Sequence, residues 1–153
     1  MEPRRLAAGE LAAARAVFGD AIDWARVRIH PRPFFWLQRP GTAMSPNGAV
    51  YFHAVDHRDD FSGEWRGMAW LIHELTHVWQ HESGQWVIPR GLWERRYTYG
   101  VLDPRRPLVR YGIEQQAAIV EDWYRLTQGQ APWRGCGAAK DYRAVIPFLP
   151  DRS

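Results

Sequence analysis

The chain has a single cysteine, Cys136, among 153 residues. No internal disulfide can form, and zinc sites assembled from cysteine pairs are excluded. Cys136 sits in RGCGAAK and reads as a small residue in a loop. Lysine is nearly absent, since nineteen of the twenty basic residues are arginine and Lys140 is the exception. Such a bias often reflects a GC-rich genome. The pairs Arg95-Arg96 and Arg105-Arg106 could meet an anion, but no stretch gathers the five or more basic residues of a nucleic-acid patch, so no nucleic-acid partner is expected. Nor is there a run of about 18 uncharged apolar residues, so no span and no membrane partner are expected. The N-terminus lacks a signal-peptide pattern, because Glu10 and Arg15 interrupt its apolar run and no clean cleavage site follows. It reads instead as an amphipathic helix, Leu6 to Phe18. The expected location is cytoplasmic, or outside the cell by a route that needs no cleaved signal. Repeats, low-complexity tracts and linkers are also missing, and residues 1–153 read as one domain.

What is present is aromatic. The chain is 46% hydrophobic, with nine tryptophans, six tyrosines and six phenylalanines, enough for a substantial core. RVRIH, Arg26 to His30, alternates like a strand, and AVYFHAV, Ala49 to Val55, has strand-forming residues. Between them PRPFFWLQRPGTAMSPNG is broken by prolines and reads as loop or irregular edge strand. A helix is predicted from about Glu64 to Glu82, with Asp60 or Ser62 as cap and Glu64 in its positive first turn. Met68, Leu71, Ile72, Leu75, Val78 and Trp79 form its buried stripe. Gln85 to Arg110 reads as an irregular crossover with a short helix around Leu92 to Tyr97. A second strong helix is predicted from Ile113 to Gln128. The tail, YRAVIPFL, reads as a short strand or packed coil. Two long helices beside a few strands give an α+β domain.

The first of these helices contains LIHELTHVWQH. His73 and His77 are four residues apart, on one helical face, where two imidazoles can grip one metal ion. Glu74 is displaced around the helix. It can reach a water held at that ion rather than the ion itself, the position of a general base. His81 continues the spacing but lies roughly 12 Å along the axis from His73, too far for bonds of about 2 Å to one zinc. No glycine turn bends the chain back, so His81 reads as a rim residue. A third ligand must come from elsewhere. Glu114 in YGIEQQAAIVEDWY is the leading candidate, from the second helix, as in the gluzincin type of site. Glu121, seven residues on, lies on the same face as an alternative ligand or a hydrogen-bond partner for a histidine. Small Ala117 and Ala118 lie between them and permit close helix packing, while Asp122 points elsewhere. His53 and His57 follow a strand signal into a polar loop and read as non-ligands.

The blocks TAMSPNGAVYFH, IHELTHVWQH, ERRYTYG and YGIEQQAAIVEDWY, in this order, resemble the bacterial vgr-related proteins, which are zincin-like and associated with type VI secretion components. The likeness runs from about Leu6 to Gly129. The wider HExxHVxQ pattern also looks like metallopeptidase domains found near contractile injection systems. The resemblance implies a zincin-like fold, Zn2+ held by His73 and His77 with Glu114 as the candidate third ligand, and Glu74 as catalytic acid/base. It departs from the well-known gluzincins in having Ala118 where an acid often orients a histidine. Glu121, a backbone carbonyl or water must then do so.

The leading expectation is a zinc metallopeptidase. Three protein ligands leave a place for water, whose pKa zinc lowers toward about 7, and Glu74 moves its proton to the leaving amine. Tyr111, three residues before Glu114, is the favoured oxyanion donor over Tyr97 and Tyr99, with His81 or Arg95 behind them. One alternative is a non-catalytic metal domain that docks on a secretion-apparatus partner through exposed tryptophans. Another is a hydrolase of a non-peptide amide that uses the same metal chemistry.

Overall fold

A computed structural model of the chain describes residues 2–85, 87 and 96–151. Helix α1, Ala8–Phe18, starts two residues later than its apolar pattern predicts. The reason lies in Glu10, which is completely buried. Its carboxylate accepts from the Ala7 amide at 2.8 Å, reaching back over the helix start. It also accepts two parallel hydrogen bonds from the Arg4 guanidinium, both 2.8 Å, and one from the Phe61 amide at 2.8 Å. The residue that interrupts the apolar run thus ties the N-terminal arm, α1 and the start of the next helical region together.

Three short strands follow. β1, Ile29–His30, and β2, Ala43–Met44, flank β3, Val50–Phe52. β1 runs parallel to β3, with Ile29 opposite Val50, and β2 runs antiparallel, with Met44 opposite Tyr51. The strand segments are shorter than the sequence suggests. Before Ile29 the chain turns, with the Arg26 amide donating to the Asp23 carbonyl and Arg28 donating to the Ala25 carbonyl. Phe52 packs its ring on Phe61 and edge-on to Trp70, fixing the sheet against the helices.

A 3-10 turn, Phe61–Gly63, is capped by Asp60. Helix α2, Trp65–Glu82, is capped by Glu64, whose carboxylate accepts from the Arg66 and Gly67 amides. The predicted stripe is buried, but so is nearly everything else between Gly67 and Gln80. After a 3-10 turn at Leu108–Arg110, helix α3, Ile113–Thr127, packs along α2 in the largest helix–helix contact among the described residues. The short helix expected at Leu92 to Tyr97 falls mostly outside the described residues, and Tyr97 itself is not helical.

The second sheet is a two-stranded parallel pair, β4, Gly100–Val101, with β5, Gly135–Cys136. Cys136 is therefore in a short exposed strand rather than a loop. A side chain at Gly135 would lie 2.3 Å from the Tyr99 ring, so the pairing needs glycine there. The tail corrects the sequence reading, because Ala139–Val145 forms a helix, α4, and only the residues after it are irregular. The apolar YRAVIPFL run suggested a strand, but Asp141 accepts from the Ala138 amide at 2.9 Å and starts a helix just ahead of it. Tyr142 is then fully buried against Tyr99 and Trp123. The architecture is a mixture of helices and small sheets, in keeping with the expected α+β class.

Removing the Glu10 carboxylate leaves buried donors and a partly buried guanidinium without their acceptor. Glu10→Ala should lower stability by about 3 kcal/mol in urea unfolding. Arg58→Ala removes an exposed pair with Glu64 and should cost under about 1 kcal/mol. Equal costs would mean that Glu10 is not the organising group.

Candidate metal centre

His73 and His77 face α3 from successive turns of α2, with ring centroids 5.2 Å apart. Glu114, in the first turn of α3, places one carboxylate oxygen 3.2 Å from His73 Nε2 and the other 3.1 Å from His77 Nε2. One ligand atom from each of the three residues lies within 4.8 Å of the others. His81 is exposed at the end of α2 and lies against Gly48. His53 and His57 accept from Val55 and Arg4, away from the cluster.

The outer nitrogens of both imidazoles are held. His73 Nδ1 donates to Glu121 at 3.0 Å and His77 Nδ1 donates to the Gln80 side-chain oxygen at 2.7 Å. The Gln80 amide is oriented in turn, since its nitrogen donates to the Ile113 carbonyl at 2.9 Å and to Gln116 at 3.1 Å. A backbone carbonyl only accepts, so the Gln80 oxygen must face His77. Gln116 completes the chain by donating to the Tyr111 carbonyl at 2.8 Å and to Gln85 at 3.1 Å. Without metal, each Nε2–H donates to Glu114; once that proton is lost, the acceptors on Nδ1 keep the remaining proton there and turn the Nε2 lone pair inward, free for an ion. Two such nitrogens and one carboxylate, with both rings locked, suit a zinc ion.

The electrostatics follow from burial. His73, His77 and Glu74 are all under 9% exposed. Burial alone would drive the His73 imidazolium down, but hydrogen bonds to Glu114 and Glu121 outweigh it and raise His73 to about 10. His77 rises for the same reason, with Glu114 opposing burial. For Glu114, burial pushes the carboxyl up, and the two histidines more than reverse that, holding it well below the usual range. Glu74 is pushed up by burial, against the pull of His77 and His73. Its Oε2 accepts from Ser45 Oγ at 2.9 Å.

The structure separates the two carboxylates that the sequence left as alternatives. Glu114 lies between the Nε2 atoms, and Glu121 lies behind His73 on Nδ1. Asp122 belongs elsewhere, accepting from Tyr99 and from the Trp133 and Arg134 amides. Tyr111, expected as a catalytic donor, has its hydroxyl on the Asp103 amide at 3.3 Å and its ring under Arg106. Tyr99 is committed to Asp122 and Tyr142. Tyr97 is the tyrosine of the three that lies against the cluster, its ring 6.0 Å from His73. Arg95 lies outside the described residues. Arg105 and Arg106 line an open concavity with Asp103, Pro107 and Arg110, on residues other than the cluster. Three contributors, Ser45, Gln80 and Gln116, escaped the sequence reading. Ser45 gives no sequence signal, whereas Gln80 stands three residues after His77 on one helical face and could have been found.

No family model matches the chain. It is 36% identical, across 79% of its length, to the type VI secretion system spike protein VgrG2b of Pseudomonas aeruginosa. The chain spans only 13% of that relative. Among solved structures it matches the effector domain of Pseudomonas aeruginosa VgrG2b with a TM-score of 0.74 at 36% identity, over 86% of this chain and 79% of that one.

Two outcomes are expected at this centre. Gln80→Ala and Glu121→Ala should each weaken zinc binding by about 10–100-fold in chelator competition, with the fold intact. Unchanged affinity in both would remove their orienting role. Because His73 is charged up to about pH 10 without metal, binding at neutral pH must expel protons, about one or two by linkage. Affinity should therefore rise with pH, and calorimetry in buffers of different ionisation heat should read the release. Proton uptake on binding would contradict the assignment.

Proposed function

Since the chain belongs to the family of the VgrG2b effector domain of type VI secretion, we propose that it is a zinc-dependent peptidase with a zincin-like fold. The observation that carries the reading is the joint arrangement of His73, His77 and Glu114 with a buried Glu74 one residue from the first histidine. In this proposal His73, His77 and Glu114 hold the ion. When bound, zinc supplies Lewis acidity that makes water a nucleophile near neutral pH.

The remaining chemistry belongs to the chain. Ser45 occupies Glu74 Oε2, which leaves Oε1 to take a proton from the attacking water. Burial raises the Glu74 pKa, so the carboxylate is a stronger base than an exposed glutamate and its acid form a usable donor. The same carboxyl then passes the proton to the leaving amine nitrogen. Tyr97 beside His73 takes the place foreseen for Tyr111 as donor to the developing oxyanion. Glu121 and Gln80 keep both rings in one tautomer through the cycle. Hydrolysis of a non-peptide amide would use the same groups. The family link to a spike-protein effector favours delivery by a type VI apparatus, with that apparatus as a partner.

Glu74→Gln keeps size and hydrogen bonding and removes the base. It should fold and hold zinc, and its turnover should fall by about 10²–10⁴-fold. The measurement is a proteome-wide cleavage screen with wild type and Glu74→Gln side by side. Equal cleavage by the two would assign the activity to another site, and no cleavage by wild type would favour a docking domain without catalysis.

A further inference from the structure

The proline-broken segment before β2 carries the largest run of exposed apolar surface among the described residues. Phe34, Phe35, Trp36 and Leu37 are consecutive and are 38%, 41%, 87% and 58% exposed. Isolated exposed apolar residues are ordinary, but four in sequence at the tip of one loop are not. The tip is also held outward by its base. Gln38 is buried, and its side-chain oxygen accepts from the Phe34 amide at 2.7 Å. Its side-chain nitrogen donates to the Thr42 and Tyr51 carbonyls, both at 3.0 Å. The Phe34 ring meets Tyr51 edge-on at 5.1 Å, and Thr42 closes a second turn on the Arg39 carbonyl. The apolar side chains are therefore presented by a fixed turn, so little ordering is left to do on contact.

The charge around the tip is of one sign. From Trp24 through Val55 the chain has four arginines and no aspartate or glutamate. Arg32 and Arg39 bracket the apolar residues, both are exposed, and neither forms an ion pair among the described residues. Arg32 lies 5.8 Å from the Tyr51 ring, beside the loop base. An acid stands at the base, Asp56, where its carboxylate accepts from the Gly41 amide.

We propose that this loop docks the protein on an anionic lipid surface. Trp36 and Leu37 would enter the headgroup–acyl boundary, with Phe34 and Phe35 at its edge, and Arg32 and Arg39 would meet lipid phosphates. A convex aromatic tip between two cations matches that layered chemistry, apolar inside and negative at the rim. It fits a protein partner less well, because the exposed parts of these side chains offer roughly 400–500 Å², short of the roughly 800 Å² per partner of a stable interface. The expectation of no membrane partner rested on the absence of a span. Among the described residues no helix is long and apolar enough to cross a membrane, and a peripheral contact requires none.

The test is co-sedimentation of the full chain with phosphatidylcholine vesicles, with and without phosphatidylglycerol, at low and high salt. Wild type should bind the phosphatidylglycerol vesicles, leave neutral ones in solution, and release as salt rises. The double variant Trp36→Ser/Leu37→Ser should weaken binding by at least about ten-fold, as should Arg32→Gln/Arg39→Gln. Both change exposed side chains, and unchanged circular dichroism and zinc content would show that they fold. Failure to bind phosphatidylglycerol vesicles, equal binding to neutral ones, or binding unaffected by Trp36→Ser/Leu37→Ser would overturn the proposal. Wild-type self-association in light scattering that this variant abolishes, without vesicle binding, would assign the patch to a second copy instead.

Discussion

Glu114 reaches both His73 Nε2 and His77 Nε2, and this is possible only where α2 and α3 run close together. Residues 114, 117, 118 and 121 share one face of α3. The outer two touch His73, so the inner two, fully buried Ala117 and Ala118, lie where the helices meet. A larger side chain at either position would push the carboxylate away from the imidazoles. The close approach in turn buries His73, Glu74, His77 and Glu121 and partly buries Glu114, and burial is tolerated only because each has a partner. Glu114 faces two imidazoles, His73 has a carboxylate on each nitrogen, and Glu74 has Ser45.

The glutamine chain follows from the same closeness. Between His77 and the start of α3 the polar groups are buried, and they satisfy each other. Gln80 and Gln116 are fully buried and do so in sequence, from an imidazole to backbone carbonyls at Ile113 and Tyr111. The network joins the second histidine to the N-terminal turn of the helix that carries Glu114. Ring orientation and helix position are therefore set by one set of hydrogen bonds.

Both long helices were legible in the sequence, to within a residue or so at each end, because stripe and stop signals agree there, although Glu64, not Asp60 or Ser62, caps the first. The pair His73 and His77 was legible for the same reason, since spacing on one helix is local geometry. Glu114 could be ranked ahead of Glu121 as ligand but their roles could not be fixed, because which carboxylate faces Nε2 depends on the crossing of two helices, with His73 and Glu114 lying 41 residues apart. Ser45 was invisible, since it reaches Glu74 through the path of the loop before β3. The strands were overcalled where side-chain bonds such as Arg28 to Ala25 bend the chain. Tyr111 was favoured for its nearness to Glu114 in sequence, but its hydroxyl belongs to the Asp103 turn. The aromatic loop was read as irregular, which is correct for its backbone and says nothing about which side chains face out.

Between its ends, helix α2 has almost no surface. From Gly67 to Gln80 every residue is buried except Trp70, which is partly so. An ordinary surface helix keeps one polar face on which substitutions drift with little effect. Here one side meets the sheet and α1, another carries the histidines, and the remainder holds the glutamine chain. Neutral drift has no place to accumulate along those fourteen positions. The turns around Asp103 and Gly129 are exposed instead, so the tolerance for change that a surface helix normally offers lies in them and not in α2.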